Sequence, residues 1–158
     1  MAKTDLPILE QRRIEASIIK PIYDGMTEQL GKSKAGEILG EAIIKDAIAQ
    51  GQAYADSQDQ PTSLASFYAL LSQWTVGGAL EIELVQKDED YLAFNVTRCK
   101  YSEMYKDMEL GEIGDLLSCN RDGSFCTGYN PSIKLERSQT IMKGASHCDF
   151  RFRWEPTE

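Results

Sequence analysis

The 158-residue sequence predicts an α+β fold in which N-terminal helices pack on a C-terminal antiparallel sheet of about four strands with short inserted helices. Three observations predict it. Apolar residues recur at helical spacing as far as Trp74, and they alternate with polar ones from Leu80 onward. Only Gly77-Gly78 separates the two regimes, too short a stretch for a linker, so residues 1–158 read as a single domain.

Taking the elements in order, Ile14, Ile18, Ile22, Met26 and Leu30 stand four residues apart and lay one apolar stripe along a first helix. Pro21 lies inside it and is expected to kink or split the helix, because its ring removes a backbone donor. Arg12, Arg13 and Glu15 near the start read as a solvated face with a local ion pair, or as an arm reaching into a site. Gly31 ends this helix. Ser33 to about Ser57 forms a second, with Ala35, Ile38, Leu39, Ala42, Ile43, Ala49 and Ala53 as a small-residue face. Thr62 or Ser63 caps a third, on which Leu64, Phe67, Tyr68, Leu71 and Trp74 make an aromatic stripe facing the core.

In the second half, Leu80, Ile82 and Leu84 oppose Glu81 and Glu83, and Leu92, Phe94 and Val96 alternate with Ala93, Asn95 and Thr97. These strands form a hairpin through Lys87-Asp88-Glu89-Asp90. Strict alternation places Cys99 opposite the Leu92 face. Short helices are expected at 101–105 and 110–119, the second ending at Cys119, where the negative end of the helix dipole does not lower a thiol pKa. A turn follows Asp122-Gly123, and 128–131 reads as a loop. A strand over 133–142 would put Arg137 and Gln139 on the face of Ile133, Leu135 and Ile141, so that the guanidinium needs an anionic partner. In the last strand Cys148, Phe150, Phe152 and Trp154 oppose His147, Asp149, Arg151 and Arg153.

The formal charge of -8 argues against nucleic acid or an anionic membrane as partner. The start of the chain shows no apolar signal-peptide core, which with the absence of a long apolar run leads to a cytoplasmic expectation. There the four cysteines, Cys99, Cys119, Cys126 and Cys148, are expected as thiols rather than disulfides. Cys126 reads as structural. Cys99, Cys119, Cys148, His147 and Asp149 are zinc-ligand types, yet no Cys-x-x-Cys or His-x-x-x-His spacing accompanies them, so no cofactor is expected. A homo-oligomer and a monomeric core account equally well for the apolar surfaces of the first two helices.

The string Arg137-Ser138-Gln139-Thr140-Ile141-Met142-Lys143-Gly144-Ala145, with Cys148-Asp149-Phe150-Arg151-Phe152 after it and Cys119-Asn120-Arg121-Asp122 before it, resembles the L-2-amino-thiazoline-4-carboxylic acid hydrolase family. The resemblance extends more weakly to Arg12-Arg13-Ile14-Glu15. Lys100 replaces an expected proline, and Ser138 a more usual threonine. The implied activity is hydrolysis of a non-peptide carbon–nitrogen bond in a small heterocycle: water adds to C2 of a cyclic isothiourea, and the ring opens to a carbamoyl-cysteine. This belongs to cysteine metabolism. The partner implied is a small anionic or zwitterionic heterocycle.

For that chemistry the catalytic candidates are Cys119 or Cys148, as attacking thiol or as part of the site that positions water, with Asp122 and Asp149 as acid and base. Arg137 is the candidate for the substrate carboxylate, supported by Arg121 and Thr140. The alternative from another class is a noncatalytic small-molecule-binding or redox-sensing module.

Overall fold

A computed structural model describes residues 5–157. Helix α1 spans Ile8–Leu30 and α2 Lys32–Asp56, joined through Gly31 alone. Pro21 does not split α1, which runs through it as one element. The regular Ile14, Ile18 and Ile22 stripe turns outward, each residue more than half exposed, while Ile8, Arg12 and Ala16 face inward. On α2 the buried stripe is Ala35, Leu39, Ile43, Ala47 and Gly51, so the expected face is displaced: Ile38, Ala42, Ala49 and Ala53 are exposed.

Helix α3, Leu64–Trp74, starts at Ser63 in a reciprocal cap: Ser63 Oγ accepts from the Ser66 N–H at 3.1 Å, and Ser66 Oγ from the Ser63 N–H at 2.8 Å. The chain then reverses through Gly77 and Gly78, whose φ values of 67° and 70° lie in the left-handed region that glycine adopts without steric cost.

Strands β1 (Leu80–Lys87), β2 (Tyr91–Cys99), β3 (Ile133–Glu136) and β4 (Cys148–Trp154) form one antiparallel sheet in the order β1-β2-β4-β3. Its inner face presents Leu92, Phe94, Val96, Cys148 and Phe152 to a core shared with α3 and with Phe125, Cys126 and Tyr129. Helix α4 covers Lys100–Asp107.

The largest departure from the sequence reading follows α4. Asp115–Cys119 is a π-helical turn that passes directly into α5, Asn120–Tyr129, so no turn follows Asp122-Gly123 and Cys119 is not a helix terminus. What holds α5 in place is a close crossing with α2. A Cβ on Gly51 would lie 2.8 Å from the Tyr129 nitrogen, and one on Gly128 2.8 Å from the Ile48 carbonyl carbon. The glycines let the two backbones touch. At the other end, β3 stops at Glu136, and 137–140 form an irregular segment leading to a 3₁₀ turn at Ile141–Lys143, in place of the expected strand to Met142.

Candidate functional site

The site lies where α1, α5 and the inner sheet face meet. Residues Cys119, Asp122 and Cys126 stand on one face of the continuous helical segment, at the i, i+3, i+7 spacing that places side chains together. A π-helical turn widens the backbone locally, and such turns recur at functional sites. Here it carries Cys119.

Cys99 reaches the same place through an irregularity in the sheet. Leu80 pairs with Cys99 and Ile82 with Val96, so Thr97 is an extra residue on β2 and the alternation flips across it. Cys99 therefore shares a face with Val96 and Leu92, which corrects the expectation from strict alternation. Its Sγ also accepts the Ser102 N–H at 3.4 Å and caps α4. Cys148 enters from β4, its Sγ accepting the Ile141 N–H at 3.2 Å.

Cys99, Cys119, Asp122 and Cys148 line a chamber of two adjoining lobes, each about 70 Å³, and Cys126 lies in the core behind it. The polar lobe is bounded by Arg12, Cys99, Cys119, Arg121, Asp122, Arg137 and Cys148. Phe67, Phe94, Phe125 and Phe152 wall the aromatic lobe, and Trp74, Val96, Asp122 and Phe150 border both. An open cleft of about 410 Å³ on the outside, lined by Asp115, Asn120, Gln139, Thr140 and Lys143, shares Cys119 and Arg137 with the polar lobe. Those two residues stand between solvent and chamber.

Three guanidinium groups and one carboxylate line the polar lobe, and Glu15 and Asp46 partner two of those guanidiniums from outside it. Arg137 Nη1 donates to Asp122 Oδ2 at 2.6 Å and Nη2 to the Cys119 carbonyl at 3.2 Å, with the guanidinium carbon 5.0 Å from the Phe150 ring centre. Arg121 is held by the Leu117 carbonyl at 2.9 Å and Asp46 at 2.7 Å. Arg12, only 5% exposed, donates through Nη1 to both Glu15 oxygens at 2.9 and 3.0 Å. Its Nε and Nη2 make no hydrogen bond among the described residues. Of the two sequence readings of this segment, Arg12 combines the local ion pair with the arm reaching into a site, while the solvated face fits Arg13, which is exposed.

Burial pushes the Asp122 carboxyl above the ordinary aspartate range, against the pull of Arg137. A third of its side chain, 34%, is nevertheless accessible, which is consistent with surface that forms chamber wall. Burial likewise raises the thiols: Cys99 to about 11, and Cys119, Cys126 and Cys148 upward. Arg137 opposes the shift at Cys119 and Cys148 without overcoming it. At neutral pH the chamber thiols are protonated.

Of the residues singled out from sequence, Cys119, Asp122, Cys148, Arg137 and Arg121 converge on the polar lobe. Thr140 lines the outer cleft and caps the 3₁₀ turn by accepting the Lys143 N–H at 3.3 Å. Asp149 is not among the chamber residues. It accepts the backbone N–H groups of Ser138 and Gln139, each at 2.9 Å, and the Ser138 hydroxyl, and so anchors the segment that carries Arg137. Although partial burial pushes its pKa upward, those bonds bring it below the ordinary value. His147 is tied to Ser146 and Gln139. Among the described residues no group of three or more His, Cys, Asp or Glu side chains is arranged to hold a metal ion. Nor is any described helix long and apolar enough to cross a membrane. Residues that the sequence reading missed as chamber wall are Trp74, Tyr101 and Met142; aromatic spacing alone marks Trp74 as core.

Fold and site together define an α+β domain with a cleft of small-molecule scale that leads to a smaller polar and aromatic chamber. More particularly, the chain belongs to the L-2-amino-thiazoline-4-carboxylic acid hydrolase family, whose profile matches residues 11–152. No curated protein matches the chain. Among solved structures it is similar to the phenol-responsive sensory domain of the transcription activator PoxR, crystallised with phenol. The TM-score is 0.56 at 9% identity, covering 86% of this chain and 72% of that one. That likeness is one of fold.

Proposed function

We propose that this chain hydrolyses a small cyclic isothiourea bearing a carboxylate, of the 2-amino-thiazoline-4-carboxylate kind. The observation that carries the reading is the polar lobe itself, where three guanidinium groups, two of them paired outside the lobe with Glu15 and Asp46, surround one carboxylate of raised pKa beside neutral thiols. The membership of the family named for that hydrolase supports the same substrate class.

In this reading Arg12 takes the ring carboxylate, because both terminal nitrogens of Arg137 are already engaged. Asp122 acts as general base, a role suited to a carboxylate whose pKa has moved toward neutrality. Water bonds to C2 as its proton passes to Asp122, and the C2–N3 π pair moves onto N3, which takes that proton from Asp122. The C2 hydroxyl of the tetrahedral intermediate then gives its proton to Asp122 as the carbonyl forms and sulfur or the ring nitrogen is expelled, and Asp122 passes this second proton to the departing atom. Cys119 and Cys148 position water as thiols instead of attacking, because burial disfavours the thiolate.

A mass-spectrometric assay with 2-amino-thiazoline-4-carboxylate tests this: the substrate gains one water, and the gain disappears in a folded Asp122→Asn variant. A free thiol in the product assigns cleavage of C2–S; its absence assigns C2–N. No turnover by the wild type sinks the hydrolase reading.

A second reading, a binding or sensory module, is favoured by one observation: the enclosed aromatic lobe adjoins thiols that are protonated at rest. The fold shared with the PoxR sensory domain is compatible with it. Saturable ligand binding without turnover is its signature.

A further inference from the structure

Resting on the hydrolase reading, we infer that the aromatic lobe is a substrate subsite, so that the preferred substrate is a ring carboxylate extended by a short alkyl group. Protein interiors pack close to crystal density, and voids larger than a water are few. Here about 70 Å³ stays open among Phe67, Phe94, Phe125 and Phe152, several times the roughly 10–15 Å³ that one water needs. A buried water also needs two to four polar partners. The polar groups of this lobe, Arg12, Gln50, Arg121 and Asp122, include three shared with the neighbouring lobe; the remaining wall is carbon, apart from the Trp74 indole nitrogen. Such a wall suits an apolar group better than water.

Continuity with the chemistry makes this a subsite and not a separate hole. Trp74, Leu80, Val96 and Phe150 border both lobes, and Asp122 touches both. The lobes are of equal size, so a bare thiazoline occupying the polar lobe leaves the second unfilled. A substituent on the ring carbon remote from the reacting centre would enter it, and its binding energy would then be available to orient the ring at Asp122.

The test compares 2-amino-thiazoline-4-carboxylate with its 5-ethyl derivative, using wild type, Ala47→Leu and Leu71→Phe. Ala47 and Leu71 come from different helices and line only the aromatic lobe. The expected ratio of kcat/KM in wild type favours the ethyl substrate by at least about tenfold, the scale on which apolar pockets discriminate, and the ratio falls by a similar factor in both variants. A wild-type ratio at or below one, or a ratio unmoved in the variants that fold, overturns the inference.

A second measurement needs no turnover. Xenon under pressure should raise the Tm of the wild type and do so less in either variant. Inert thiazolines with this stabilisation intact defeat the hydrolase reading and leave the subsite standing. No stabilisation by xenon overturns the subsite.

Discussion

Replacing Arg12 by Met retains an unbranched apolar stem and removes the guanidinium. In the folded protein that group spends Nη1 on Glu15 and keeps Nε and Nη2 without a hydrogen-bond partner among the described residues, inside the polar lobe. A hydrogen bond to a charged group contributes about 1.5–3 kcal/mol. At about 1.4 kcal/mol per tenfold, loss of that contact to the substrate carboxylate raises KM by about 10–150-fold. The carboxylate is distant from the charge developing at C2, so kcat moves less. Stability should suffer little by comparison. Glu15 is 37% exposed and lies 3.6 Å from Arg121 Nη2, so it is not stranded when Arg12 goes. Below about 2 kcal/mol of lost stability, a fall in Tm of less than about 8 °C is expected for a domain of this size. Steady-state kinetics and thermal unfolding on the same preparation separate the two effects. A KM unchanged within twofold, together with a lowered Tm, refutes the reasoning and makes Arg12 a structural residue.

Three further outcomes follow from the geometry. Gly128→Ala drives a methyl into the Ile48 backbone and should cost on the order of 3 kcal/mol, or roughly 6–12 °C in Tm, whereas Gly25→Ala, inside α1 with nothing within 4 Å, should raise Tm by about 2–4 °C; equal effects contradict the backbone contact between α2 and α5. Alkylation of Cys99 by iodoacetamide, followed by peptide mass mapping, should climb about tenfold per pH unit between pH 7 and 10, because the thiol titrates at about 11; a rate already level at pH 8 argues against that burial. Asp122, raised in the folded state, binds its proton more tightly there than in the unfolded chain. Between the unfolded value near 3.9 and the raised folded value, its contribution to stability falls as pH rises, and urea titrations of wild type and Asp122→Asn should diverge in that direction. As general base the same group gives kcat/KM an acid limb above pH 4, and a limb at the ordinary aspartate value counts against its role.

What was legible in the sequence rested on periodicity. The change from period 3.6 to period 2 at Gly77-Gly78 marks the boundary between helices and sheet, and the Ser63 cap and the β4 alternation are local signals that tertiary structure left alone. The α1 stripe shows the limit of the same method. Spacing reveals that Ile14, Ile18 and Ile22 share a face but not which way it turns, and in the fold the neighbouring face with Arg12 packs inward because its charge finds Glu15. Burial of α2 follows Gly51, whose contact with α5 depends on a partner far along the chain. No window of sequence around Gly51 contains that partner.

Two single-residue irregularities build the polar lobe, and both are invisible to a periodic reading. The extra Thr97 flips β2 so that Cys99 joins Val96, and the π-helical turn carries Cys119 into α5 with Asp122 one turn on. Regular alternation would point Cys99 away, and a helix ended at Cys119 would separate it from Asp122. Composition nevertheless brought the residues of the polar lobe to notice, because cysteine and arginine on apolar faces demand partners whatever the local geometry. Asp149 obeys the same rule with a different result: its partners are the backbone of 138 and 139, which hold Arg137 over Phe150. An Asp149→Asn variant should therefore act through Arg137, loosening its hold on Asp122, and shift the acid limb of the pH profile upward as that guanidinium's pull weakens. If Asp149 were instead the proton carrier, the acid limb would vanish rather than move.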